Sequence, residues 1–229
     1  MYTGLTGEPV ASDLMRSDWV FLLLIIPVLI YLFVSFYEKY SLVRIIKIVF
    51  SNKFASTAYR SIAPGAQLFQ SLLGLISLMS IASFILFCEL FFNLEFFGLS
   101  AQWLWVSNFA AALIAISLRY TINYLLGKLS GSWEVFSEYF FNISRNYKLI
   151  GIFLMLMNFF ISYLEAIPDK YLIYSSLIVM TIILFFRFIR LFYLFIKRRF
   201  SLFYLILYLC ALEIFPVLIL IKYLSGQEY

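Results

Sequence analysis

Glu213 lies in the middle of LYLCALEIFPVLILIK, residues 207–222, with Pro216 three residues after it. An ionised carboxylate is costly to hold in an apolar run. Such groups are rare there, face a bundle interior, and either pair with one another or mark a path for protons or ions. Upstream, Arg187 and Arg190 fall inside another apolar run. If the two runs form a helical hairpin turning near Phe200, Glu213 and Arg187 each stand 13 residues from the turn. At about 1.5 Å per residue, both then lie roughly 20 Å along their helices, at a shared depth. An Arg–carboxylate pair can be bidentate, which fixes register as well as charge. Arg190, one turn nearer the charged end, joins that pair or snorkels to the headgroups. Pro216 frees the carbonyl of Leu212 and kinks the helix beside Glu213, and a neighbouring donor can satisfy that carbonyl. Two readings follow: a structural clamp locking a hairpin, or a proton or ion relay. Glu89 and Glu165 lie near the outer ends of their own apolar runs and read as rim residues close to water; the alternative is a pathway from Glu213 to Glu89 or to Glu165.

Little else in the chain could do chemistry. It contains no histidine, which removes His-ligated haem, His-based zinc and di-iron sites, and every nucleophile–His dyad. Cys88 and Cys210, its two thiols, both sit in apolar runs and read as small buried hydrophobes. No P-loop, GxGxxG or HExxH occurs. The expectation is a protein that is not an enzyme and holds no cofactor and no metal.

The elements that must position Glu213 are set by composition. Of 229 residues, 64% are hydrophobic and 13% charged, with a mean hydropathy of +0.98. Soluble domains are about half apolar and a quarter charged. The expected fold class is therefore an all-α membrane protein. Its form is a polytopic bundle of six transmembrane helices, with one or two amphipathic interfacial helices on the cytoplasmic side. The spans are expected at about 19–37, 67–92, 102–126, 149–166, 171–196 and 201–222, each long enough for ~30 Å of hydrocarbon. Residues 1–18 and 223–229 read as short polar tails, leaving 19–222 as a single transmembrane domain.

Basic residues give the orientation. Eleven of the 17 fall in the first, third and fifth loops and three on the opposite side. The positive-inside rule places those loops in the cytoplasm and both termini outside it. The net charge of +5 thus points to an anionic inner leaflet rather than to nucleic acid.

Two loop segments carry helical amphipathic patterns. In 41–54, Arg44 and Lys47 share one face and Leu42, Ile45, Ile46 and Val49 another, a pattern suited to contact with an anionic lipid surface. In 132–143, Glu134 and Glu138 are four apart against Trp133, Phe136 and Phe140. Acidic groups do not favour an anionic leaflet, so this segment is read as a docking face for a partner protein. The alternative for both is a solvated polar face on a membrane-lying connector.

The stretches RSDWVFLLLIIPVLIY, YFFNISRNYKLIGIFLMLMNFF and LYLCALEIFPVLILIKYL resemble the DUF4271 family. The resemblance implies an integral inner-membrane protein of Bacteroidota and brings no established activity or catalytic residue. The first functional expectation is a non-enzymatic subunit or scaffold of a larger inner-membrane assembly, with other membrane-protein subunits as partners. Protein secretion or membrane-protein insertion are processes such an assembly would serve. The alternative is a small-solute or proton-coupled ion transporter or channel using Glu213 and Arg187. Against it, Pro27 and Pro216 have no counterparts in the other half of the chain, so the matched interruptions of repeat-built transporters are absent.

Overall fold

The computed structural model describes residues 14–37, 66–92, 100–129, 133–164 and 166–197. Over these residues the protein is all helical. A single 3-10 turn, Leu14–Arg16, precedes five α-helices. They are α1 (Asp18–Tyr37), α2 (Ala66–Phe91), α3 (Ala101–Leu129), α4 (Trp133–Tyr163) and α5 (Asp169–Lys197). Each contains a stretch long and apolar enough to cross a membrane. The sixth expected span, at 201–222, and the amphipathic segment at 41–54 lie outside the described residues.

Local chemistry fixes several helix ends. The Ser17 carbonyl accepts from the Val20 and Phe21 amides at 2.9 and 3.3 Å, opening α1 with Asp18 in its first turn. The Ser100 carbonyl accepts from Leu104 at 3.0 Å at the start of α3, and that of Pro168 accepts from Tyr171 at 3.0 Å at the start of α5. Asp169 stands in the first turn of α5 and Lys128 in the last turn of α3, each matching the helix dipole. Pro27 lies inside α1, which continues through it.

One expectation is corrected in its form. Residues 132–143 were expected as an interfacial helix separate from a span at 149–166. Instead Trp133–Tyr163 is one uninterrupted helix of 31 residues. Nothing between Trp133 and Ile150 is glycine or proline, so no residue in that stretch breaks the amide ladder.

The helices surround a central pair. α2 makes its broadest contact with α4, α1 and α3 both touch this pair, and α5 packs on α4. More than half of the apolar stretch of α2 and of α4 is buried (56% each), against 6% for α3. Two apolar clusters fill the centre. Val34, Leu73, Ile76, Ile152 and Met155 join α1, α2 and α4 at one level. Further along, Val20, Leu24, Phe84, Phe87, Leu154 and Ile173 join α1, α2, α4 and α5, with Met15 of the 3-10 turn beneath them. Edge-on aromatic contacts extend this packing, Phe21 to Tyr163 and Phe91 to Tyr174. Arg16 and Asp169 approach to 3.9 Å with both side chains about one-third exposed. A pair so open to solvent contributes at most about 1 kcal/mol.

Candidate functional site

The interior of the α2–α4 pair is polar along much of its length. Lys148 Nζ on α4 donates to Gln70 Oε1 on α2 at 3.4 Å. Further along, Gly151 lies against Ser77, and the Asn158 amide nitrogen donates to the Ser80 carbonyl at 2.9 Å. The partners advance together along both chains, so α2 and α4 run parallel. Small residues let the two backbones approach, the usual device where helices cannot rely on a hydrophobic drive to associate.

Most of the buried hydroxyls are satisfied within their own helices. Ser77, Ser80 and Ser176 donate to the carbonyls four residues earlier, at 2.7–2.8 Å. Ser162 does not follow them. Its Oγ and the Oδ1 of Asn158, one turn below it on α4, are fully buried without a hydrogen-bond partner. Gly151, Asn158 and Ser162 are seven and four residues apart, which keeps all three on the α2-facing side.

A second polar group lies between α2 and α3. Glu89 is 6% exposed, and its Oε2 accepts from the Asn108 amide nitrogen at 2.7 Å. The Trp105 indole N–H donates to Ser83 Oγ at 3.0 Å. Glu89 is nine residues beyond Ser80, half a turn around α2, so it faces away from the α4 seam. Towards the other end of α3, Arg119 Nη1 donates to the Tyr147 hydroxyl at 2.8 Å.

These positions differ from the sequence expectations. Glu89, read as a rim residue, is buried, because α3 returns against α2 and lays Asn108 over it. Lys148, counted with an inner loop, is buried on α4 at 7% exposure. Glu134, Glu138 and Trp133 stand on the first two turns of α4, and Arg187 and Arg190 on α5 one turn apart. Glu213, Arg44, Lys47 and Glu165 lie outside the described residues, and with Glu213 the expected Glu213–Arg187 pair. Sequence reasoning singled out Glu89 but missed Asn108, Asn158 and Ser162. The available signal was polar residues within apolar runs, Glu89 and Asn108 in consecutive runs above all. Among the described residues no group of three or more potential metal ligands occurs.

No curated protein and no solved structure matches the chain. Its sequence does match the model of a domain of unknown function, DUF4271, over residues 20–224. That span takes in α1 from its third residue, the other four helices and the Glu213 run, and the chain belongs to the DUF4271 family.

Proposed function

We propose that this chain is a multi-pass protein of a bacterial inner membrane, acting as a non-enzymatic subunit or scaffold within a larger membrane assembly. The observation that carries this reading is the closeness of α2 and α4 at Gly151 and Ser77. A Cβ added at Gly151 would lie 2.3 Å from the Ser77 Cα. The central pair therefore leaves no room for a solute there, and the polar groups along it tie helix to helix. Large apolar side chains such as Ile114 on α3 and Phe185 on α5 are exposed, which suits contact with lipid or with other membrane subunits. Secretion and membrane-protein insertion are the processes such a subunit would serve. Extraction from the native membrane in mild detergent, followed by native mass spectrometry, tests this. A stoichiometric complex is expected, and a chain that stays alone while catalysing ion flux in liposomes would overturn it.

The second reading is a proton-coupled transporter or channel, with Glu213 and Arg187 in the membrane interior. The buried Glu89–Asn108 contact favours it, since it adds another ionisable group inside the bundle. The two readings separate on Glu213→Gln. A scaffold keeps its assembly and phenotype if stability is retained, whereas a relay stays folded and loses function. Glu213→Leu and Arg187→Leu should each destabilise a clamp, with the double change recovering much of the loss.

A further inference from the structure

We infer that a buried water binds where α1 meets α4, joining Asn158 Oδ1, Ser162 Oγ and the Leu23 carbonyl that Pro27 deprives of its helical donor. The inference stands whether the chain is scaffold or transporter.

Each of the three groups has hydrogen-bonding capacity left over. Asn158 spends its amide nitrogen on the Ser80 carbonyl, but its Oδ1 has no hydrogen-bond partner among the described residues. Ser162 Oγ has none there either, although Ser77, Ser80 and Ser176 all donate to the carbonyl four residues earlier. Asn158 and Ser162 are both 0% exposed, and a polar group buried without a partner costs free energy. On α1, Pro27 is buried and lies inside the helix. It has no amide hydrogen, so the Leu23 carbonyl loses the donor that a regular helix would give it. That carbonyl is directed along α1 towards Pro27, on the covered side of the helix. In membrane helices a carbonyl freed by proline is satisfied by a neighbouring side chain or by an ordered water.

The helices bring the three groups to one level. α1 and α4 run antiparallel. Phe21 meets Tyr163 edge-on at one end, with ring centroids 6.3 Å apart, and Val34 shares a cluster with Ile152 further in. Pro27 is six residues inward from Phe21 and Asn158 five inward from Tyr163, which is roughly 9 and 8 Å along their helices. Leu24 and Ile161, the chain neighbours of Leu23 and Ser162, belong to the same apolar cluster. A water at this level donates to Asn158 Oδ1 and to the Leu23 carbonyl, and it accepts from the Ser162 hydroxyl. Those three bonds are the usual complement of a buried water. None of the three groups carries a charge, which suits a neutral guest. The water then ties α1 to α4 at Pro27, where the α1 backbone lacks one of its own bonds.

The full chain in lipid nanodiscs provides the test. Brief X-ray radiolysis generates hydroxyl radicals from water in place, and peptide mass spectrometry reads where oxygen has been added. A buried side chain is modified only when a water lies beside it. Leu24 and Ile161 are buried and should be modified nonetheless, whereas Ile76, buried in the other apolar cluster, should not. Pro27→Ala restores an amide to the Leu23 carbonyl and so removes one of the water's partners. In that variant the modification of Leu24 and Ile161 should fall towards the level of Ile76. Two results would overturn the proposal: Leu24 and Ile161 as unmodified as Ile76 in the native chain, or modification that Pro27→Ala leaves unchanged. The first comparison uses the unmodified sequence, so it decides the matter even if Pro27→Ala fails to fold.

Discussion

Gly151 of α4 meets Ser77 of α2 so closely that a Cβ built on it would lie 2.3 Å from the Ser77 Cα and 2.4 Å from its Cβ and Oγ. Two of the three atoms belong to the serine side chain, but the nearest is backbone. A rotamer change at Ser77 therefore cannot relieve the contact, and the helices must separate.

Gly151→Ala should therefore destabilise the fold, by about 1–3 kcal/mol, the usual cost of overpacking a core. Gly74 is the internal control. It lies on α2 within the same sequence run, yet a Cβ there meets nothing within 4 Å. Gly74→Ala should be neutral or mildly stabilising, by up to ~1 kcal/mol, through helix propensity alone. Thermal unfolding of both variants in one detergent decides the matter. Equal behaviour of the two would mean that α2 and α4 are not in this close register.

Asn158 offers a second test of the same seam. Its amide donates to the Ser80 carbonyl at 2.9 Å. Asn158→Leu removes that bond and should cost roughly 0.6 kcal/mol, up to ~1.7, as for interhelical hydrogen bonds in other membrane proteins. Asn158→Asp should cost more once its carboxyl is ionised, because an ionised carboxylate sets an acceptor against the acceptor carbonyl of Ser80. Protonation restores a donor, so the aspartate variant should recover stability as pH falls while the leucine variant does not. Unfolding in SDS titrations at several pH values would show this. A leucine variant worse than the aspartate variant at alkaline pH would contradict the assigned amide orientation.

Orientation can be checked with single cysteines placed in a chain lacking Cys88 and Cys210. A membrane-impermeant maleimide applied from outside the cell should label Gly4→Cys and Gln227→Cys but not Ser130→Cys. Labelling of position 130 alone would invert the arrangement expected from the basic residues.

The helices themselves were legible because their apolar runs are long and punctuated. IPDK stops one and starts the next, with Pro168 and Asp169 at the start of α5. The continuity of α4 was not legible, because a polar amphipathic pattern followed by an apolar run reads as two elements. Only the absence of glycine and proline between Trp133 and Ile150 hints at one. The Glu89–Asn108 contact was missed for a different reason. Depth along a helix can be counted in residues, so Glu89 was placed near an end. Burial depends on which neighbour covers it, and that is set by how α3 lies against α2, a property of packing that no single run encodes.

α4 yields the last prediction. At about 1.5 Å per residue its 31 residues make a rod of roughly 46 Å, about 16 Å more than the hydrocarbon thickness. The first turns, with Glu134 and Glu138, then project beyond the membrane as a continuation of the buried segment. Ser144→Pro distinguishes this from two helices joined at a flexible corner. Proline there deletes the amide bond to the Phe140 carbonyl and clashes with it, costing ~3 kcal/mol or more inside a continuous helix. At a corner between two elements it would be nearly neutral. The expected outcome is a marked fall in unfolding temperature, together with faster amide exchange on both sides of residue 144. The Arg119–Tyr147 bond lies less than one turn further on, so the same variant should also loosen α3 at that end. An unchanged unfolding temperature with native exchange at 140–148 would show that α4 bends there, and would return the 132–143 segment to the membrane surface.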